Sequence, residues 1–222
     1  MNWSSHSLYW LQQTGADVPP ADDWLSAAEA ARLARFHIPK RRADWRLGRW
    51  TAKQALSAYL NQPAANFEIR AAPDGAPEAF LHGRPAGVNI SISHSAGVAI
   101  CAIAATGVAL GCDIEQIEPR SPAFLEDYFT TEEQYAVAAT PAAAQALLVT
   151  LLWSAKESVL KALREGLRLD PRTVHISATG ESEGTFSARC SDSRIFEGCW
   201  DRTGDLIRAF ASDPLLARRA LL

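Results

Sequence analysis

Residues 50–55 read WTAKQA and residues 153–158 read WSAKES. A near-copy of one hexapeptide in a single chain raises the question of duplication, which settles the fold class if it holds. The likeness extends upstream. SAAEAARLARF (26–36) and TTEEQYAVAA (130–139) each open with a hydroxyl residue followed three places on by Glu, the capping-box spacing of a helix start. The separations Ser26 to Trp50 and Thr130 to Trp153 differ by one residue. A strand-like segment precedes each cap: HSLYWLQ (6–12) and ALGCDIEQI (109–117). Strand-like runs also follow each Trp helix. NFEIRA (66–71) and VNISISHSAGVAICAIA (88–104) come after the first, and RTVHISA (172–178), TFSARC (185–190), RIFEGCW (194–200) and DLIRAFAS (205–212) after the second. The pattern predicts an α+β fold made by tandem duplication of a strand-helix-helix-strands unit. Its expected halves are 1–107 and 108–222, with the seam near Thr106–Leu110.

With 222 residues, the chain has ample length for a buried core, and 48% hydrophobic with 21% charged residues is ordinary for a globular protein. A formal net charge of −3 gives no basis for nucleic acid or a membrane surface as a bulk partner, so any anion must be held by local clusters. Cys101, Cys112, Cys190 and Cys199 show no CxxC spacing and read as reduced thiols. No basic-then-apolar opening and no apolar run of membrane-spanning length is present, so the expectation is a cytoplasmic protein.

If the halves superpose, their differences locate chemistry. Aligning the caps sets Asp113 opposite Tyr9 and Glu115 opposite Leu11, and aligning the two hexapeptides sets Glu157 opposite Gln54, so all three acids belong to the second half. Asp113 and Glu115 are two apart on a strand and share a face. Two ordinary surface acids would look the same; with Glu157 as a third oxygen donor, the set suits a divalent cation. In LLWSAKESVLKALREG (151–166), Trp153, Glu157 and Lys161 recur every four residues, with Gly166 as the expected stop. By itself this helix reads equally as an i,i+4 surface pair. In PKRRADWRLGRWTAK (39–53), Arg42, Arg46, Arg49 and Lys53 form a basic stripe, either a solvated face or a phosphate contact. SISHSAG (91–97) reads as a strand closing into a hairpin, where His94 and its hydroxyl neighbours suit an anion.

Taken in order and spacing, ISISHSAG, GCDIE and WSAKESVLK resemble the 4′-phosphopantetheinyl transferases of the surfactin-synthetase type. The resemblance spans nearly the whole chain. It implies a pseudo-twofold monomer that transfers the phosphopantetheine arm of coenzyme A to a serine of an apo acyl or peptidyl carrier protein, releasing adenosine 3′,5′-bisphosphate. It implies Asp113, Glu115 and Glu157 as Mg²⁺ ligands, and Lys156, Lys161, Ser93 and His94 as coenzyme A contacts, with His94 at the 3′-phosphate. Ala76, in DGAPEA (74–79), stands where the family often has a lysine, and Asp44 where it has an arginine, so Arg42 or Arg46 must serve. Resemblance and acid asymmetry together predict Glu157 as general base and Lys161 as the cation facing the leaving bisphosphate. A coenzyme A- or carrier-binding module without activity, and a metal-dependent phosphodiesterase, are the alternatives. IEPRSPAFLEDYF (117–129) is expected to be an irregular loop whose Phe124 and Leu125 stand open to the carrier.

Overall fold

The structure is a computed structural model that describes residues 7–213 and 215–221. In chain order the elements are β1 (Ser7–Thr14), α1 (Ala27–Leu33), α2 (Pro39–Leu60), β2 (Phe67–Ala71), β3 (Pro77–Leu81), β4 (Arg84–Pro85), β5 (Val88–Ser95), β6 (Val98–Ala105), β7 (Ala109–Gln116), α3 (Pro122–Tyr128), α4 (Thr131–Ala139), α5 (Ala142–Ala162), β8 (Val174–Ala178), β9 (Glu183–Cys190), β10 (Ile195–Thr203), β11 (Leu206–Asp213) and β12 (Ala217–Ala220). His6, expected at the head of the first strand, lies outside the described residues.

The chain forms two compact units, Met1–Val108 with Leu216–Leu222, and Ala109–Leu215. The sequence reading runs the second half to residue 222. Instead β12 returns to the first unit, where it pairs in parallel with β1. Its sequence ARRA carries no apolar alternation, so nothing in its pattern marks a strand.

The first unit has a four-stranded sheet ordered β12-β1-β6-β5 and a three-stranded sheet ordered β2-β3-β4. Strand β6, apolar throughout, is buried on both faces from Ala99 to Ala104. On α2, Ala52, Ala55, Leu56 and Tyr59 form a core with Tyr9, Cys101 and Ile103 of β1 and β6. The second unit has one five-stranded sheet ordered β7-β11-β10-β9-β8, antiparallel throughout. There α5 lays Leu152, Ala155, Val159 and Leu160 in a core with Phe186, Trp200 and Ala209. None of the four cysteines is paired in a disulfide.

Both capping boxes form. Ser26 starts α1 with Glu29 reaching back, and Thr130 starts α4 with Glu133 doing the same. In each unit that same glutamate has a second task. Glu29 Oε1 accepts the Ile69 N–H of β2 at 3.0 Å, and Glu133 Oε1 accepts the Ile176 N–H of β8 at 2.9 Å. Each also takes a buried lysine from the long helix, Lys53 at 2.7 Å and Lys156 at 2.9 Å. Lys53 donates on to the Trp24 carbonyl, and Lys156 to those of Pro171 and Val174. Helix start, long helix and strand are thereby tied at one point in each unit. The repeated Ala-Lys is this tie.

Candidate active site

Strand β7 and helix α5 meet unusually closely. A Cβ on Gly111 would stand 1.7 Å from the Ser158 carbonyl oxygen, so only glycine lets the two backbones approach. That approach sets Asp113, two residues on and on the same face, beside α5. Lys161 Nζ lies 2.7 Å from Asp113 Oδ1 and 3.2 Å from the Cys112 carbonyl. From Val149 to Ala162 every side chain of α5 is buried except Glu157 and Lys161, each half-buried on one face. The same position in α2 holds Gln54.

Burial dominates the electrostatics. Glu115 is pushed up to about 7, first by desolvation and then by the Asp113 charge, while Arg120, Lys161 and a Trp153 hydrogen bond oppose the rise. Glu157 is raised too, by burial and by Asp113, with Lys161 opposing. Burial works against the charge on Lys161, but Asp113 and Glu157 outweigh it and hold its pKa above the ordinary lysine value. Asp113, Glu115, Glu157 and Lys161 thus share one field. Among the described residues no group of three or more His, Cys, Asp or Glu side chains is arranged around a common metal position. The donor chemistry nonetheless fits a hard cation: three carboxylates, two of them with raised pKa values that a nearby cation would lower.

Lys156 does not belong to this site. It is fully buried, and its three ammonium protons are taken by Glu133, Pro171 and Val174. Burial lowers its pKa and Glu133 opposes the fall. No donor remains for a ligand phosphate, so the expected coenzyme A contact is corrected to a structural one.

In the first unit the basic stripe divides. Arg42 and Arg46 both bind Asp22, at 3.0 and 2.7 Å; Arg42 also donates to the Leu33 carbonyl at the end of α1, and Arg46 to the Pro19 carbonyl in the loop before it. Lys53 is the buried tie, and Asp44 pairs with Lys40 at 2.8 Å. Arg49 differs. Its guanidinium stacks on Trp45, with Cζ 4.9 Å from the ring centroid, and its Nε is buried without an acceptor. Desolvation lowers its pKa, partly offset by Glu29 and reinforced by Arg32. A large unspent cation of this kind suits an anion. Strand β5 ends in the expected hairpin, Ala96 and Gly97 taking φ of 50° and 76°. Ser93 is buried, whereas His94 is exposed on the α2 side, where a Cβ on Gly48 would lie 3.8 Å from its Cδ2. Consecutive strand residues face opposite ways, so Ser93 and His94 do not act as one contact pair. Ala76 sits in the turn joining β2 and β3 and brings no basic group there.

The loop expected at 117–129 contains helix α3. Ser121 caps it and Pro122 occupies its first turn, where proline lacks no needed donor. Phe124 packs edge-on against Trp153 at 5.1 Å, and Tyr128 lies 5.1 Å from the same ring. Phe124 and Leu125 are therefore half-buried supports of α5, and the expected open docking loop is not formed. The site residue that sequence reasoning missed is Arg120, which pairs with Glu115. Its one signal is a basic residue five places after Glu115 in an otherwise acidic stretch.

Against known proteins, residues 109–211 match the family described as the 4′-phosphopantetheinyl transferase superfamily, and residues 28–104 match the 4′-phosphopantetheinyl transferase N-terminal domain. The chain belongs to the 4′-phosphopantetheinyl transferase superfamily. The N-terminal match lies in the first unit and the superfamily match in the second. A relative among curated proteins is the 4′-phosphopantetheinyl transferase HetI of Nostoc sp. (strain PCC 7120), 27% identical over 159 residues, which are 71% of this chain and 67% of that protein. Among solved structures, the Helicobacter pylori holo-[acyl-carrier-protein] synthase in complex with coenzyme A is 20% identical, with a TM-score of 0.31, and spans 45% of this chain and 99% of that one. The Thermotoga maritima holo-[acyl-carrier-protein] synthase is also 20% identical, with a TM-score of 0.36, and spans 56% and 74%. No helix among the described residues is long and apolar enough to cross a membrane.

Proposed function

We propose that this superfamily member transfers the 4′-phosphopantetheine of coenzyme A to a serine of an apo acyl or peptidyl carrier protein, in the manner of the surfactin-synthetase type. The observation that carries the reading is the polar face of α5: Glu157 and Lys161 alone remain part-exposed on an otherwise buried stretch, and Lys161 reaches Asp113. The other unit, with Gln54 in place of Glu157, carries the same scaffold without these groups.

In the reaction the carrier serine oxygen forms a bond to the pantetheine-side phosphorus, and the bond from that phosphorus to the bridging diphosphate oxygen breaks. Glu157, with a pKa raised by burial, accepts the serine proton. Lys161, kept charged by Asp113 and Glu157, faces the negative charge that grows on the departing adenosine 3′,5′-bisphosphate. Asp113, Glu115 and Glu157 are the residues that would hold Mg²⁺, and the bound cation would neutralise diphosphate charge. Trp153, braced by Phe124 and Tyr128, favours the charged form of Glu115 by hydrogen bonding. In the first unit we assign a nucleotide phosphate to Arg49 and His94, in place of Arg42 and Arg46, which are spent on Asp22. Two pseudo-equivalent units in one chain support action as a monomer, and reduced thiols with coenzyme A as substrate support a cytoplasmic setting.

The test is incubation with coenzyme A, Mg²⁺ and a panel of apo carrier proteins, followed by mass measurement of all products. Gain of one phosphopantetheine on a carrier supports the transferase. Free phosphopantetheine would instead mean a phosphodiesterase, and absence of product with every carrier a binding module.

A further inference from the structure

Arg120 stands just beyond β7, between two acids. Its Nη1 lies 2.8 Å from Glu118 Oε1, and its Nη2 lies 3.4 Å from Glu115 Oε2. The two contacts are unequal. The Glu118 contact has the length of a good charge-assisted hydrogen bond, while the Glu115 contact is at the long end of the range. Glu118 is half exposed to solvent and Glu115 is largely covered. The Phe124 ring lies beneath the guanidinium, 5.2 Å from Cζ to centroid, and the buried Nε has no acceptor. The guanidinium is thus supported from below by an apolar surface on which it can slide, and no contact through Nε holds it in place.

Taken with the Lys161–Asp113 pair, this means that two of the three acids already have a basic partner in the protein itself. A carboxylate shared with arginine is a poorer cation ligand, because the guanidinium takes one oxygen and its positive charge repels the incoming ion. We propose that Arg120 is a movable counter-ion of Glu115: it bridges Glu115 and Glu118 in the cation-free protein and withdraws onto Glu118 when a divalent cation takes Glu115. Arg120 is a positioning residue in this scheme, acting on the metal through Glu115, and Glu118 is the place to which it retires. The proposal rests on the metal-site reading above.

The consequence is that Arg120 and Glu118 affect cation affinity in opposite directions, Arg120 through Glu115 and Glu118 only through Arg120. The experiment is titration of the full chain with Mn²⁺ alone, followed by calorimetry and by electron paramagnetic resonance of free Mn²⁺, with circular dichroism melting to verify folding. Arg120→Ala should bind Mn²⁺ about fivefold tighter than wild type, the scale of a half-exposed ion pair. Arg120→Gln should shift the same way, as a second variant that keeps more of the side chain. Glu118→Gln should bind Mn²⁺ more weakly, because Arg120 then has only Glu115. In the Arg120→Ala background, Glu118→Gln should change affinity little, since Glu118 has lost the residue through which it acts. Equal affinity of wild type and both Arg120 variants overturns the proposal alone. So does an equal effect of Glu118→Gln in both backgrounds, which would mean simple long-range charge. No Mn²⁺ binding by any variant would overturn it together with the metal assignment beneath it.

Discussion

Replacing Lys156 separates a structural role from a ligand role. The side chain is fully buried, and its partner Glu133 is only 2% exposed. Lys156→Ala leaves Glu133 with the N–H groups of Thr130 and Ile176 but without its counter-charge, and it removes the lysine stem from the core. Breaking a buried pair by deleting one partner costs about 3–5 kcal/mol. For a chain of this size each kcal/mol moves the melting temperature by about 2–4 °C, so the variant should melt about 6–20 °C earlier. Lys156→Met refills the stem and should recover part of the loss, and Lys156→Met with Glu133→Gln should recover more because no charge is orphaned. The assay is circular dichroism melting beside steady-state kinetics, run at a temperature where each variant is folded. KM for coenzyme A should stay near wild type. An unchanged melting temperature with a raised KM would refute the argument and return Lys156 to the ligand. Lys53→Ala, breaking the matching 2.7 Å pair with Glu29, should lower the melting temperature in the same way.

Gly111→Ala must push β7 off α5, because the new methyl would overlap the Ser158 carbonyl. It should cost about 3 kcal/mol or more in chemical denaturation and lower activity in folded protein as Asp113 shifts from Lys161. Arg49→Ala should weaken coenzyme A binding in calorimetry by more than it weakens dephospho-coenzyme A; equal losses would remove the 3′-phosphate from Arg49. Exhaustive dialysis against a chelator should abolish transfer and leave the melting temperature nearly unchanged, because Lys161 and Arg120 already face Asp113 and Glu115. Added Mg²⁺ should restore activity.

The α+β duplication was legible because its signals are local: a capping box, a helix period and a β-branched run can each be read within a few residues. Asymmetry of the acids was legible too, since aligning Ser26 with Thr130 and Trp50 with Trp153 needs no coordinates. What the alignment hid is the meaning of the shared residues. A lysine in a helix shows its charge in the sequence but not its burial. Lys156 therefore read as one more basic contact beside Lys161, although its twin Lys53, in a half without the acids, argues for structure. The basic stripe was legible only as charge: the partner of Arg42 and Arg46 is Asp22, which is distant in sequence and carries no periodic signal. Helix α3 was masked by Ser-Pro, which marks a turn when unfollowed and an N-terminus when apolar residues come next. Gly111 shows in GCDIE only as a glycine. The reason it must be one is a carbonyl of a helix 47 residues later, visible only as a close approach.

The central claim is that the acids Asp113, Glu115 and Glu157 separate the active copy of a duplicated scaffold from the inert one, with Glu157 as its general base. The direct measurement is the mass of an apo carrier protein after a fixed time with coenzyme A, Mg²⁺ and either wild type or Glu157→Gln, which installs in the second unit the residue type found at Gln54. Wild type should convert the carrier to its phosphopantetheinylated form. Glu157→Gln should melt within a few degrees of wild type and convert it about 10²- to 10⁴-fold more slowly, the scale of a lost general base. Conversion by Glu157→Gln at the wild-type rate would contradict the account.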